Sequence, residues 1–146
     1  MIEDALQEIG RALEARAVGL WRFAGEAEGL VQVAFWPALD LPPDVAEGFA
    51  QATRRVAMRE SGLGIVRAVL ARRPFVSRAM ELPPESGSGL WLRRFGADRS
   101  VAVPLMDAGH VIGVASVALP TDSLPESTIA DAIGCLRAFL PERGRQ

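Results

Sequence analysis

The 146-residue chain contains no lysine, no asparagine and no tyrosine, and only one cysteine and one histidine. All 16 of its basic residues are therefore arginine. The codons of the three missing types are rich in A and T, so a GC-rich bacterial genome accounts for the bias; heat adaptation fits less well, because its usual mark is more lysine. A lone thiol, Cys135, excludes an internal disulfide and a cysteine-built zinc cage. With His110 the one imidazole, metal ligation is poorly supplied, and no metal or other cofactor is expected. No run approaches the roughly 18–20 consecutive apolar residues that a membrane helix needs, and Met1-Ile2-Glu3-Asp4 is acidic where an export signal is basic. The expectation is a cytoplasmic protein that does not engage a membrane. A net charge of −2 and a pI near 5.5 speak against a phosphate-backbone footprint, so no nucleic-acid partner is expected.

What the chain does have is a 49% apolar composition. At this length roughly 68–70% of the unfolded surface can be buried, which suits one hydrophobic core and a single domain over residues 1–146. Ile2, Leu6, Ile9 and Leu13 line one face of a helix over 2–16, with Glu3 and Asp4 at its positive end. Ser123 and Glu126 read as a capping box for a last helix carrying Ile129, Ile133, Leu136 and Leu140, stopped by Pro141. Between them, Val18–Phe23 and Leu30–Trp36 read as one hairpin, and Ser100–Met106 and His110–Ala118 as another across Asp107-Ala108-Gly109. Asp44 and Glu47 signal a helix through Val56 with Gly62 as its stop; a short helix over 64–73 ends against Pro74, before an edge strand at Phe75-Val76. Residues 80–89, rich in Pro, Ser and Gly, read as a mobile cover leading into a short helix over 90–95. The pattern is an α+β domain around a central antiparallel sheet.

Ser100-Val101-Ala102-Val103-Pro104-Leu105, followed by Gly109-His110-Val111-Ile112-Gly113-Val114, resembles the most recognisable stretch of the GAF domain family. Gly64-Ile65-Val66-Arg67 through Arg73-Pro74-Phe75-Val76 is similar to that family's short helix and edge strand, and the resemblance runs from about Ile2 to Leu140. The related PAS fold has a similar order of elements. The resemblance implies terminal helices on one sheet face, with short helices and loops covering a ligand cavity on the other. It places Pro104 inside a strand, against the rule that strand prolines sit at edges or bulges.

Catalysis finds little support in the residues. GAF-like methionine sulfoxide reductases use a set of cysteines, because a sulfenic acid on one thiol must be resolved by another. Cys135 is alone, reads as a buried structural thiol beside Ile133 and Leu136, and is misplaced for the cysteine that holds a bilin. His110, after the turn at Gly109, reads as an exposed turn residue. Ser61-Gly62-Leu63-Gly64 and Gly87-Ser88-Gly89 lack phosphate-loop spacing. The family's cyclic-nucleotide motif includes Asn and Lys, both missing here, so the resemblance does not extend to those ligands. The expectation is that the protein is not an enzyme and has no catalytic residues.

Charge is unevenly spread: residues 1–50 carry a net −6, residues 51–100 a net +6 and the remainder −2. Either the basic third draws in an anion with paired N–H donors, or its arginines are solvated helix faces balancing the acidic third. Likewise Trp21, Trp36, Trp91 and Phe95 either line one apolar cavity or pack a solid core. The resulting expectation is a sensory or regulatory domain that binds an unknown small, anionic molecule through Trp21, Trp36, Trp91, Phe95, Arg94 and Arg99. It would dimerise through its terminal helices, where Ala5, Ala12, Ala130 and Ala138 allow close approach, and signal through a partner protein. The alternative is a dimerisation or docking module with no ligand.

Overall fold

The computed structural model describes residues 1–141. Its frame is a six-stranded, wholly antiparallel sheet built from β1 (Ala17–Phe23), β2 (Leu30–Pro37), β3 (Arg55–Val56), β4 (Phe75–Arg78), β5 (Arg99–Asp107) and β6 (His110–Leu119). The strand order is β3-β2-β1-β6-β5-β4, so the two expected hairpins lie side by side and the first long strand pairs with the last. Helix α1 (Ile2–Ala12) and helix α5 (Glu126–Gly134) pack on one face, where Leu6, Leu13, Ile129, Ile133 and Leu136 meet Val18, Leu20, Val101 and Val117. Helices α2 (Pro43–Ala52), α3 (Gly64–Ala71) and α4 (Gly87–Phe95) cover the other.

Several boundaries differ from the sequence pattern, each for a local reason. Helix α1 stops at Ala12 rather than residue 16, because Glu14 takes a left-handed conformation at φ 53°. Helix α2 ends ten residues before Gly62. The Thr53 hydroxyl donates to the Phe49 carbonyl at 2.8 Å, and Arg55-Val56 leaves the helix to pair with Leu30-Val31. The capping box at Ser123 does not form: Pro125 disfavours helical geometry at the residue before it, so α5 starts at Glu126, and the Ser123 hydroxyl pairs with that of Thr121 at 2.9 Å. Beyond Gly134 the chain tightens into a 3-10 helix over Cys135–Phe139. Cys135 opens that segment exposed to solvent, which corrects its reading as a buried thiol: helical spacing hands Ile133, Leu136 and Leu140 to the core and turns Cys135 away.

Pro104 proves compatible with its strand. The partner β4 reaches only to Ala102, so β5 is locally an edge at Pro104, which is where strand proline is tolerated.

A bulge decides the chemistry of the far face. The register of β1 against β2 slips between Leu20, opposite Ala34, and Trp21, opposite Gln32, leaving Val33 as the extra residue. Leu30 and Gln32 point to the α2 side, but beyond the bulge the alternation inverts. Phe35 faces α2, while Ala34 and Trp36 face α1.

Candidate functional site

On the α2–α4 side the sheet presents a floor of small residues: Ala17 and Gly19 from β1, Ser116 and Ala118 from β6, and Ser100 from β5. Small side chains on three adjacent strands leave a hollow that larger ones would fill. Its walls are aromatic, with Trp21 and Phe35 rising from the sheet, Phe49 reaching down from α2, and Trp91 and Phe95 coming from α4. Phe49 stands at the centre, its ring centroid 5.2 Å from Phe35, 5.2 Å from Trp91, 5.1 Å from Phe95 and 6.2 Å from Trp21. The Trp21 indole lies back over Gly19, whose missing side chain makes room for it: a Cβ there would come within 2.4 Å of the ring. Its Nε1 donates to the Thr53 carbonyl at 2.8 Å, tying the sheet to the end of α2. Gln32 Nε2 adds bonds to the Ala50 carbonyl at 3.2 Å and to Thr53 Oγ1 at 3.1 Å.

The free volume inside is about 50 Å³. That is room for a few water-sized groups, well short of the roughly 300–1,000 Å³ that drug-sized ligands occupy. A solvent-open pocket of about 180 Å³ adjoins it, sharing Thr53, Leu63 and Trp91 and bringing in Arg55 and Glu60. Among the described residues, no ionisable side chain lines the cavity itself. The hydroxyls of Ser100 and Ser116 make no hydrogen bond to any described residue.

Of the six residues expected to meet a ligand, the structure brings together Trp21, Trp91 and Phe95. Trp36 is corrected to the opposite face: the β2 bulge turns it toward α1, where it packs over Gly10. Arg99 is also on that face, because strand alternation groups it with Val101, Val103 and Leu105. It is 3% exposed, with its guanidinium 3.1 Å from an Asp122 carboxylate oxygen and donating to the carbonyls of Leu124 at 2.6 Å and Thr121 at 3.3 Å. Arg94 sits on the outer surface of α4, its guanidinium 5.1 Å from the Trp91 ring and outside the cavity. The anionic reading therefore loses both of its chosen arginines. Others of the basic third are engaged locally: Arg93 donates to the Ala79 carbonyl, Arg67 to the Ser61 carbonyl and Arg72 to that of Gly109.

Shifted ionisations also lie elsewhere. The Arg16 guanidinium, 2.7 Å away, hydrogen-bonds to Asp40 and holds its carboxyl below the usual range, and Asp122 raises Arg78 in the same manner. Among the described residues no three His, Cys, Asp or Glu side chains gather into a metal-binding group, and no helix is long and apolar enough to cross a membrane.

The cover is built from both α4 and α2; the sequence reading found the first and missed the second. Helix α4 begins at Gly87, three residues earlier than expected, and is latched to α3: Ser88 N donates to the Gly62 carbonyl and Gly64 N to Ser88 Oγ, both at 2.9 Å. Gly87 has φ +59°, and a Cβ on it would fall 2.5 Å from the Gly62 oxygen. Gly87→Val is therefore expected to lose about 2–3 kcal/mol of stability and to speed amide exchange selectively along α4. Exchange at wild-type rates there would show that the latch does not hold the cover.

The family model described as GAF domain matches residues 1–132, and the chain belongs to that family. No curated protein matches its sequence. Among solved structures, it is similar to the GAF domain of a two-component sensor histidine kinase from Bacillus halodurans, with TM-score 0.65 and 10% identity over 94% of this chain and 92% of that one. It is similar also to a free methionine-R-sulfoxide reductase from Neisseria meningitidis solved in complex with its substrate, with TM-score 0.61 and 18% identity over 94% and 71% of the two chains. A type II reductase of the same name from Thermoplasma acidophilum matches with TM-score 0.63 and 13% identity over 93% and 84%. These likenesses correct the expectation that the protein is not an enzyme: enzymes are built on this same fold.

Proposed function

We propose that this GAF domain is a sensory or regulatory domain that binds a small molecule in the aromatic cavity under α2 and α4 and passes the change to a partner protein. The observation that carries this reading is a hollow left by small strand residues, ringed by five aromatic side chains and holding two serine hydroxyls that bond to no described residue. Sensor proteins among the structural relatives support the regulatory side of it. Ligand entry would displace Phe49 or Trp91 and disturb β1, β5 and β6, the strands on whose reverse face the terminal helices pack.

With no tyrosine in the chain, emission excited near 295 nm comes from Trp21, Trp36 and Trp91. A Trp36→Phe variant leaves only the two cavity tryptophans. Saturable shifts in its emission on titration with small metabolites support the reading, and their absence across a broad panel refutes it.

A ligand-free interaction module is the second reading, favoured by the small free volume and by the way Phe49 fills the cavity. Both readings include a homodimer through the terminal helices, where Ala12, Ala138 and the 39%-exposed Phe139 lie open on their outer surface. A dimer mass by light scattering at tens of micromolar is expected for the wild type, shifting to monomer in Phe139→Glu. A monomeric wild type would remove the dimer from either reading.

A further inference from the structure

We propose that the cavity takes an uncharged molecule the size of a single ring, seated where the Phe49 side chain now lies and hydrogen-bonded to the hydroxyls of Ser100 and Ser116. This rests on the ligand-binding reading above and names the chemistry of its ligand.

Charge comes first. A buried ionic group needs a counter-charge or several strong donors, and among the described residues no ionisable side chain lines the cavity. Arg99, Arg93 and Arg94 are turned to Asp122, to the Ala79 carbonyl and to the outside of Trp91, and Arg55, which lines the open pocket beside the cavity, is exposed and lies 3.9 Å from Glu28. A carboxylate or phosphate entering here would give up its hydration with nothing comparable in exchange.

Shape comes second. Phe49 contacts four other aromatic rings, at centroid distances of 5.1–6.2 Å with Trp21, Trp91 and Phe95 meeting it edge-on, so the cavity is already an aromatic-ring receptor with a ring of the protein in it. That ring is carried by a helix that covers the sheet and is not part of it. Helix α2 has no fully buried residue, and its hydrogen bonds to Trp21 and Gln32 are made at Ala50 and Thr53, one turn or less from Phe49 at the C-terminal end. In the proposed complex the Phe49 side chain rotates outward while those bonds, made by Ala50 and Thr53, stay in place.

Polarity comes third. Ser116 faces Ala102 and Ser100 faces Ala118 across β5 and β6, so the two hydroxyls are diagonal neighbours on the floor. Each is at once donor and acceptor, and their pairing suits a carboxamide, a lactam or a ring carrying both a donor and an acceptor on one edge.

The test is a series of near-isosteric probes, benzamide, benzoate, benzylammonium and toluene, titrated against the Trp36→Phe protein with emission excited near 295 nm and affinities checked by calorimetry. Benzamide is expected to bind at least tenfold tighter than benzoate or benzylammonium. Ser100→Ala and Ser116→Ala are each expected to weaken benzamide about 3- to 10-fold and to leave toluene unchanged, and Phe49→Ala is expected to tighten both. Benzoate or benzylammonium binding as tightly as benzamide overturns the neutral assignment while leaving a functional cavity in place. Benzamide affinity indifferent to both serines overturns the hydrogen-bonding role. If no probe binds either the parent or its Phe49→Ala variant, the ring site itself is refuted; the wider ligand-binding reading is then judged by the metabolite panel, which contains larger and differently shaped compounds.

Discussion

Trp21→Ala is expected to destabilise the domain by about 3–5 kcal/mol, the range for removing a large aromatic side chain from a core. Trp21 is 1% exposed, fills the space over Gly19 and packs edge-on against Phe49. Its indole N–H also makes one of the bonds that fix the end of α2 to the sheet, beside those of Gln32, so the Thr53 carbonyl would lose its side-chain donor. Trp21→Phe separates the two contributions: it keeps most of the ring and should cost about 1–2 kcal/mol for the lost hydrogen bond and the smaller volume. Urea denaturation measures both. A loss under about 1 kcal/mol for Trp21→Ala would mean that the cavity wall adds little to the fold.

The second large effect belongs to Arg99, and it is structural. Removing its guanidinium leaves the carbonyls of Thr121 and Leu124 and the carboxylate of Asp122 without their shared donor, in a space closed around an arginine. Asp122 is half exposed, which softens the electrostatic part, so Arg99→Ala is expected to cost about 2–4 kcal/mol. The segment it anchors, residues 121–124, leads directly into α5, and early loosening of that helix in hydrogen exchange should accompany the loss. Ligand affinity in the folded variant should match the wild type, because Arg99 lies on the reverse face. A variant with native stability and reduced affinity for an anion would restore the ligand-contact role that the sequence suggested.

The fold was largely legible in the sequence because its signals are local. The 4-3-4 spacing of Ile2, Leu6, Ile9 and Leu13 and the turn at Ala108-Gly109 each specify an element from a few neighbouring residues, and the resemblance supplied the sheet around them. The site was only half legible. Trp91 and Phe95 fall at helical spacing with Leu92, which does reveal their inward face. The side of the sheet that Arg99 takes is legible in its alternation with Val101, Val103 and Leu105. That of Trp36 is not: the bulge at Val33 is set by the pairing of β2 with β1, and without it alternation groups Trp36 with Leu30. Phe49 and Thr53 were missed for a similar reason, since α2 reaches the cavity only because the chain after it returns to pair with β2.

The most direct test of the central claim is native mass spectrometry of the protein equilibrated with the small-molecule extract of cells that naturally make it, run beside a Ser116→Leu variant whose added side chain fills the cavity floor. A discrete mass increment on the wild type, missing from a folded Ser116→Leu, is the predicted result. Identical spectra for the two proteins, either both bare or both carrying the same increment, would contradict a ligand site in this cavity.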